Sequence, residues 1–106
     1  MIEFKRYVNI PYNFTGVCKI IQYNSIRHYK NGCLHREDGP AIIYEDCEEW
    51  YIDGELHRED GPALVYGFGQ MYFYYKGYQY SSDFTIETWK EFIKNLKREE
   101  ELKIFI

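Results

Sequence analysis

The chain has 106 residues, a formal net charge of −4 and 28% charged residues. This balance argues against direct binding to nucleic acid or to anionic lipid, because both need clustered lysine and arginine. The length predicts one domain, residues 1–106, with a modest core. Aromatic residues reach 20%, with 12 tyrosines, which suits both cross-strand pairs in a β-sheet and a binding surface.

The first 25 residues are predicted to form a degenerate repeat that caps an array. Tyr7-Val8-Asn9 resembles the later Tyr51-Ile52-Asp53, and residues 16–23 echo residues 39–44 with one or two residues inserted. Terminal units of repeat arrays depart from the common pattern because only one of their sides meets a neighbour. Neither a secretory leader nor an apolar membrane span is evident, so we expect a cytoplasmic protein that does not bind membranes.

The middle of the chain is built on two identical octapeptides, LHREDGPA at residues 34–41 and at 56–63. Each continues into a β-branched and aromatic stretch typical of a strand, and residues 49–54 form a second strand closed by an Asp-Gly pair. The unit therefore predicts strand, tight turn, strand and polar loop across residues 26–77. We expect a mainly β fold with one C-terminal helix, in which stacked hairpin repeats form a single-layer antiparallel β-meander of about seven strands.

The octapeptides contain the residue types of an acid–base catalyst, but the duplication favours a structural ladder, because a catalytic site needs one asymmetric arrangement. In this interpretation histidine and aspartate fix each loop by hydrogen bonds, and arginine bridges to carboxylates of the neighbouring unit. Glycine would supply a turn with positive φ. Contact with a partner and catalysis remain the alternatives. The ladder residues are His35, Arg36, Asp38, Gly39, His57, Arg58, Asp60 and Gly61.

Cysteine and histidine are the candidate metal ligands. Cys33, Cys47, His35 and His57 would approach one another if the repeats stacked in register, but the chain lacks the local ligand pairs of zinc sites. We therefore expect no metal and no cofactor. Three cysteines without a Cys-x-x-Cys motif indicate reduced thiols, as in the cytosol.

A capping helix is predicted over residues 84–101. Thr85 is a suitable N-cap, and Phe84 before it is placed to staple onto Trp89. Apolar residues recur at helical spacing and predict a stripe that covers one end of the sheet; they are Ile86, Trp89, Phe92, Ile93 and Leu96. The apolar residues 102–106 would extend the helix, add a strand, or join a second subunit in a homodimer.

Strand alternation divides the aromatic residues between two faces. Trp50 and Ile52 are predicted to share one face with Phe73 and Tyr75, and Tyr51 lies on the other. Because the helix covers only one face, the other would expose aromatic residues as an interaction surface. Acidic residues would join these anchors, or else discourage aggregation at a sheet edge. The predicted partner-binding residues are Trp50, Tyr51, Tyr72, Tyr74, Glu45, Asp46, Glu48 and Glu49.

Residues 50–63, WYIDGELHREDGPA, carry a family resemblance. They resemble the variant of the MORN-like tandem β-hairpin repeats that reads W-Y-x-x-G followed by L-H-R-x-D-G-P-A. The standard glycine-rich signature is not met, so lipid binding is not implied. The resemblance implies a recognition scaffold rather than an enzyme, and it suits a small phage-encoded inhibitor of a host defence protein or nuclease. The alternative is a small-ligand or nucleotide sponge, with Arg27, Arg36 or Arg58 on the phosphate.

Overall fold

The computed structural model describes residues 1–103, and this part of the chain is mainly β with one C-terminal helix, as the sequence predicts. Short 3-10 helices at Tyr7–Asn9 and Ile21–Tyr23 flank the second strand. The elements are β1 Ile2–Phe4, β2 Gly16–Ile20, β3 Ser25–Lys30, β4 Cys33–Leu34, β5 Ile42–Tyr44, β6 Cys47–Glu49, β7 Tyr51–Ile52, β8 Glu55–Leu56, β9 Leu64–Val65, β10 Met71–Tyr72, β11 Tyr74–Tyr75, β12 Tyr78–Gln79 and α1 Ile86–Lys103.

The largest sheet has the order β1-β2-β3-β5-β6-β9-β10, with β4 paired to the far end of β3. Its neighbours are antiparallel except at the first edge, where β1 runs parallel to β2. The expectation of an antiparallel sheet throughout is therefore wrong at β1. The physical reason is that residues 5–15 carry the chain back to its starting end before β2 begins, which a parallel pair requires.

Three hairpins, β3–β4, β7–β8 and β11–β12, are each closed by a tight two-residue turn. Asn31-Gly32 joins β3 to β4, Asp53-Gly54 joins β7 to β8, and Lys76-Gly77 joins β11 to β12. In each turn both residues have positive φ, about 50° at the first and about 80° at the glycine. Turns of this kind match the right-handed twist of the strands that they connect, so they fix the register of each hairpin.

The helix begins with the predicted cap. The Thr85 hydroxyl accepts a hydrogen bond from the Thr88 amide at 3.1 Å, and the Thr88 hydroxyl accepts one from the Thr85 amide at 2.8 Å. The Phe84 and Trp89 rings lie 5.2 Å apart, so the predicted staple is also confirmed. The helix extends to Lys103, and the predictions for the rest of the tail, residues 104–106, lie outside the described part.

One face of the helix packs against the last hairpin and forms the aromatic core. Trp89 and Ile93 are buried against Phe73 and Tyr75, so the helix covers the side of the sheet that carries Phe73. Ile86, the first residue of the predicted stripe, is 40% exposed and lies outside this core. The opposite side of the sheet carries Tyr51 and, by alternation, Tyr74.

Candidate functional site

Each octapeptide loop holds the turn of the following unit by hydrogen bonds. The His35 Nδ1 atom accepts from the Asp53 amide at 3.0 Å, and the Leu34 carbonyl accepts from the Gly54 amide at 2.8 Å. The Arg36 amide donates to the Tyr51 carbonyl at 3.0 Å. These bonds satisfy backbone groups in the left-handed turn, which otherwise have no strand partner.

The second loop repeats this pattern one unit later. The His57 Nδ1 atom accepts from the Lys76 amide at 2.9 Å, the Leu56 carbonyl accepts from the Gly77 amide, and the Arg58 amide donates to the Tyr74 carbonyl. In this arrangement Nδ1 is the acceptor and Nε2 is the ring nitrogen that carries hydrogen.

The first unit makes the same connection with different residues. The Thr15 hydroxyl accepts from the Asn31 amide at 2.8 Å, and the Phe14 carbonyl accepts from the Gly32 amide at 2.8 Å. Thr15 thus stands where histidine stands in the two later loops. A hydroxyl is a shorter acceptor than an imidazole, so the segment that carries Thr15 lies close to the turn. The residues before it are also close, since a Cβ on Gly32 would collide with the Tyr12 carbonyl.

The arginines act differently from the prediction. Arg58 Nε donates to Asp60 in its own loop at 2.9 Å, and an Arg58 terminal nitrogen donates to the Pro62 carbonyl at 3.2 Å; Arg36 binds Asp38 and the Pro40 carbonyl in the same way. The expected bridge from arginine to carboxylates of the neighbouring unit is therefore wrong. Histidine connects neighbouring units through backbone bonds, and arginine closes its own loop.

The loop glycines also have a different role from the predicted one. Gly39 and Gly61 have φ outside the left-handed region, so the prediction of positive φ is wrong. A Cβ on Gly61 would lie 2.9 Å from the Arg58 Cζ atom, and one on Gly39 would lie 2.7 Å from the Arg36 Cζ atom. Both glycines are buried, because a guanidinium lies directly over each of them.

A planar group lies against the equivalent residue of each unit, and these residues are His28, Trp50 and Phe73. The Arg58 guanidinium lies 3.7 Å from the centre of the Trp50 ring, and Arg36 donates to His28 Nε2 at 3.2 Å at the equivalent place. Burial, followed by the charge of Arg36, lowers the pKa of His28. In the last unit no guanidinium is supplied, and the Trp89 ring of the helix lies 5.1 Å from Phe73 instead.

Trp89 also ties the helix to the second loop, since its Nε1 atom donates to the Arg58 carbonyl at 2.9 Å. Lys97 adds a bond to Glu59 at 2.8 Å, and Glu59 accepts from His57 Nε2 at 3.2 Å. Burial opposes ionisation of Glu59, but these bonds outweigh it and lower its pKa. The His57 ring is therefore engaged at both nitrogens.

The two loop histidines do not meet in one site. A groove of about 540 Å³ between the loops is lined by His57 but not by His35, and His35 Nε2 lies 3.6 Å from Glu37 in its own loop. Each histidine thus repeats the same local arrangement. In residues 1–103 no group of three or more metal-ligand side chains comes together.

The face opposite the helix carries a continuous cross-strand row. The register aligns Cys18, Arg27, Ile42, Glu49, Leu64 and Tyr72 across β2, β3, β5, β6, β9 and β10. Tyrosines flank this row, and we call the surface the tyrosine face. It consists of Arg27, Tyr29, Tyr44, Glu49, Tyr51, Tyr66, Tyr72 and Tyr74, all of them half-buried.

Glu49 lies at the centre of the tyrosine face and binds its neighbours. The Tyr51 hydroxyl donates to the Glu49 carboxylate at 2.9 Å. Burial and then Glu49 raise the pKa of Tyr44 to about 12, and burial followed by the bond to Glu49 also raises that of Tyr51. These phenols consequently stay protonated and present donors and ring surface, not charge.

The predicted partner-binding residues do not form one surface: they lie on the tyrosine face, on the opposite face of the sheet and in the turn between β5 and β6. Tyr51, Tyr72, Tyr74 and Glu49 lie on the tyrosine face. Trp50 points to the other face and is packed beneath Arg58, with its buried Nε1 atom unpaired within residues 1–103, so it is a scaffold residue here. Glu48 is also on that other face, opposite Val65, and Glu45 and Asp46 lie in the exposed turn between β5 and β6.

The prediction of partner-binding residues omitted Tyr44, Tyr66, Tyr29 and Arg27. The tyrosines had a usable signal, because Tyr44 and Tyr66 are 22 residues apart, and Tyr29 precedes Tyr51 by the same interval. Arg27 was predicted only as a phosphate-binding residue of the alternative function, and no repeat partner marks it as part of a protein-binding face. In the structure its guanidinium contacts the Ser25 and Tyr29 hydroxyls at 3.3 and 3.4 Å.

Comparison of the chain with family models, with curated proteins and with solved structures finds no significant match. Within the described residues, the single α-helix is too polar to cross a bilayer.

Proposed function

We propose that this chain is a non-enzymatic protein-binding module, built as a meander of stacked hairpin repeats, that acts by occupying another protein. The observation that carries the proposal is the tyrosine face. Six tyrosines on it are half-buried, and the helix packs on the other side of the sheet. Tyrosine offers a large contact area at a low cost in side-chain entropy, which is why protein interfaces are enriched in it.

The contacts of the repeated loops support a role without catalysis. His35 and His57 each give Nδ1 to a backbone amide of the next unit, and Arg36 and Arg58 are bound inside their own loops. Groups with these fixed partners are poorly placed to move protons in a reaction. The resemblance of the repeats to MORN-like proteins supports the same scaffold role.

For the partner, we favour a host defence protein or nuclease that a small phage-encoded inhibitor would block. The acidic composition supports this choice, as do Glu45 and Asp46, which project from the β5–β6 turn beside the tyrosine face. Carboxylates at the rim of an aromatic surface suit a basic protein, since charge complementarity speeds association. We place this activity in the cytoplasm, consistent with an odd number of cysteines.

A small-ligand sponge is the second candidate, and one observation favours it. Arg27 lines a pocket of about 560 Å³ together with Tyr23 and Tyr44, and a guanidinium beside aromatic rings suits a nucleotide. Arg36 and Arg58 are engaged in their loops, which leaves Arg27 for this task. A thermal-shift screen with nucleotides tests the alternative: a tight nucleotide ligand with no captured protein would favour the sponge.

The experiment that tests protein binding compares adjacent residues on opposite faces of β10. Tyr72 belongs to the tyrosine face, and Met71 points to the other side and is 38% exposed. Purified wild type, Tyr72→Lys and Met71→Lys serve as baits in host lysate, with bound proteins quantified by mass spectrometry. We expect one protein to bind wild type and Met71→Lys equally and to be lost from Tyr72→Lys, provided that both variants melt cooperatively. Equal capture by all three baits would refute the proposed face.

A further inference from the structure

Arg27 is a half-buried cation without a carboxylate partner. Within residues 1–103 no acidic side chain lies within salt-bridge distance of its guanidinium, whereas Arg36 and Arg58 each pair with an aspartate. Its two side-chain hydrogen bonds go to neutral hydroxyls and are long, at 3.3 and 3.4 Å. A guanidinium has five N–H donors in a planar fork, so most of the donor capacity of Arg27 is unused.

Glu49 lies across the sheet from Arg27 and is its opposite in charge. Both residues align with Ile42, which is 6% exposed and separates them. Two strand spacings place their backbones about 10 Å apart, and within residues 1–103 no ion pair joins the two side chains. Glu49 accepts a bond from Tyr51, and a carboxylate has room for further donors.

These residues form opposite walls of one pocket. Its volume is about 560 Å³, with Ile42 and Ser25 as the floor and Tyr44 beside them. A ligand seated there contacts a buried floor, the Arg27 cation on one side and the Glu49 carboxylate on the other, with Glu45 as a second carboxylate of the lining. Burying either charge without its counterpart would cost free energy, so the pocket selects for a group that carries both signs.

We infer that this pocket receives a segment of the partner protein carrying one acidic and one basic side chain two residues apart, the acidic one on Arg27 and the basic one on Glu49. In an extended segment, side chains at positions i and i+2 share one face and lie roughly 7 Å apart, so one face of the segment can present an acidic group to Arg27 and a basic group to Glu49. The inference rests on the proposed function, because it names the chemistry of the segment that the tyrosine face binds.

A random peptide library displayed on phage is the probe. Selections are run on immobilised wild type and on Arg27→Gln and Glu49→Gln. The matched controls make the same kinds of charge change on the other face, Lys19→Gln on β2 and Glu48→Gln next to Glu49 on β6. Arg27→Lys keeps the charge and removes the planar fork, so we expect it to retain part of the preference for acidic residues.

From wild type and both control variants we expect enrichment of an acidic and a basic residue at i and i+2. Arg27→Gln should lose only the acidic preference, and Glu49→Gln only the basic one. A synthetic peptide with the pair should bind each pocket variant about tenfold more weakly than wild type, the usual effect of removing one charge-assisted hydrogen bond.

Two results would overturn the inference, and they differ in what they say of the proposed function. If enriched peptides lack the pair but still lose binding to Tyr72→Lys, the face binds proteins and the charge selection is wrong. If peptides with the acidic and basic pair are enriched on Arg27→Gln and Glu49→Gln as strongly as on wild type, those peptides bind outside this pocket. A library that yields no peptide from wild type counts against both the pocket and the face.

Discussion

Replacing Gly61 by alanine tests whether the loop glycines exist to make room for arginine. The added Cβ would lie 2.9 Å from the Arg58 Cζ atom and 3.1 Å from a terminal nitrogen, closer than unstrained contact allows. Because Gly61 does not have positive φ, alanine brings no backbone strain of its own. Removing a glycine from the unfolded chain should even add about 0.5 kcal/mol to the free energy of unfolding.

The cost comes from displacing the guanidinium. Arg58 would lose its bond to the Pro62 carbonyl, about 1 kcal/mol net, and its position 3.7 Å over Trp50, about 1 kcal/mol for a half-buried cation–π contact. The pair with Asp60 adds little, because that carboxylate is 68% exposed. The net destabilisation is about 1.5 kcal/mol, which lowers Tm by about 5–10 °C in a domain of this size.

A double-mutant cycle separates close approach from backbone strain. Urea and thermal unfolding are followed by circular dichroism for wild type, Gly61→Ala, Arg58→Ala and the double variant. If the guanidinium is the obstacle, Gly61→Ala costs about 1.5 kcal/mol in the wild type but stabilises by about 0.5 kcal/mol once Arg58 is gone. The same cost in both backgrounds would refute the argument. Gly69→Ala is the control for strain alone, since Gly69 has φ +85° and open space around it.

Three further predictions concern the contact between neighbouring units at His57, the core beneath the helix at Trp89, and the half-buried His28. His57→Phe keeps an aromatic ring against Tyr75 but removes the acceptor for the Lys76 amide, so urea unfolding should show a loss of about 1–3 kcal/mol; an unchanged midpoint would contradict the ladder. Trp89→Ala empties the aromatic core and should cost about 3–5 kcal/mol, with hydrogen exchange accelerated first in the helix. The pKa of His28 lies below its ordinary 6.5 in the folded state, so its contribution to stability is present above pH 6.5 and is lost as pH falls through the folded pKa. His28→Gln should flatten Tm against pH between 7 and 5, and an identical pH profile would show that His28 is not responsible.

Local features of this fold follow from the sequence. The Asp53-Gly54 turn needs two residues with positive φ, and the Thr85 cap needs a hydroxyl before an apolar stripe, so neighbouring residues specify both. Alternation also placed Trp50 and Tyr51 on opposite faces, as observed. The face that the helix covers depends on contacts between Trp89 and distant strands, which spacing in the sequence does not encode.

The features that the sequence did not predict all depend on contacts between residues that are distant in the sequence or come together only in the folded chain. A glycine is required both where φ is positive and where another group approaches closely, so Gly61 looks the same in either case until Arg58 is seen above it. The parallel β1 strand has only three residues and pairs with β2 by returning across the sheet. Arg27 has no repeat partner, and its isolation from carboxylates is a property of the assembled sheet.

The two ends of the array have a consequence for its evolution. Thr15 supplies the acceptor that histidine supplies elsewhere, and the indole of Trp89 substitutes for the guanidinium over the last unit. Each internal unit therefore needs two things from its neighbours: a hydrogen-bond acceptor for the backbone amide of its turn, and a planar group that packs over its aromatic residue. A tandem duplication of residues 34–55 would lengthen the protein by one unit, and Thr15 and Trp89 would still complete the first and last units. The width of the aromatic surface can therefore change in a single genetic step.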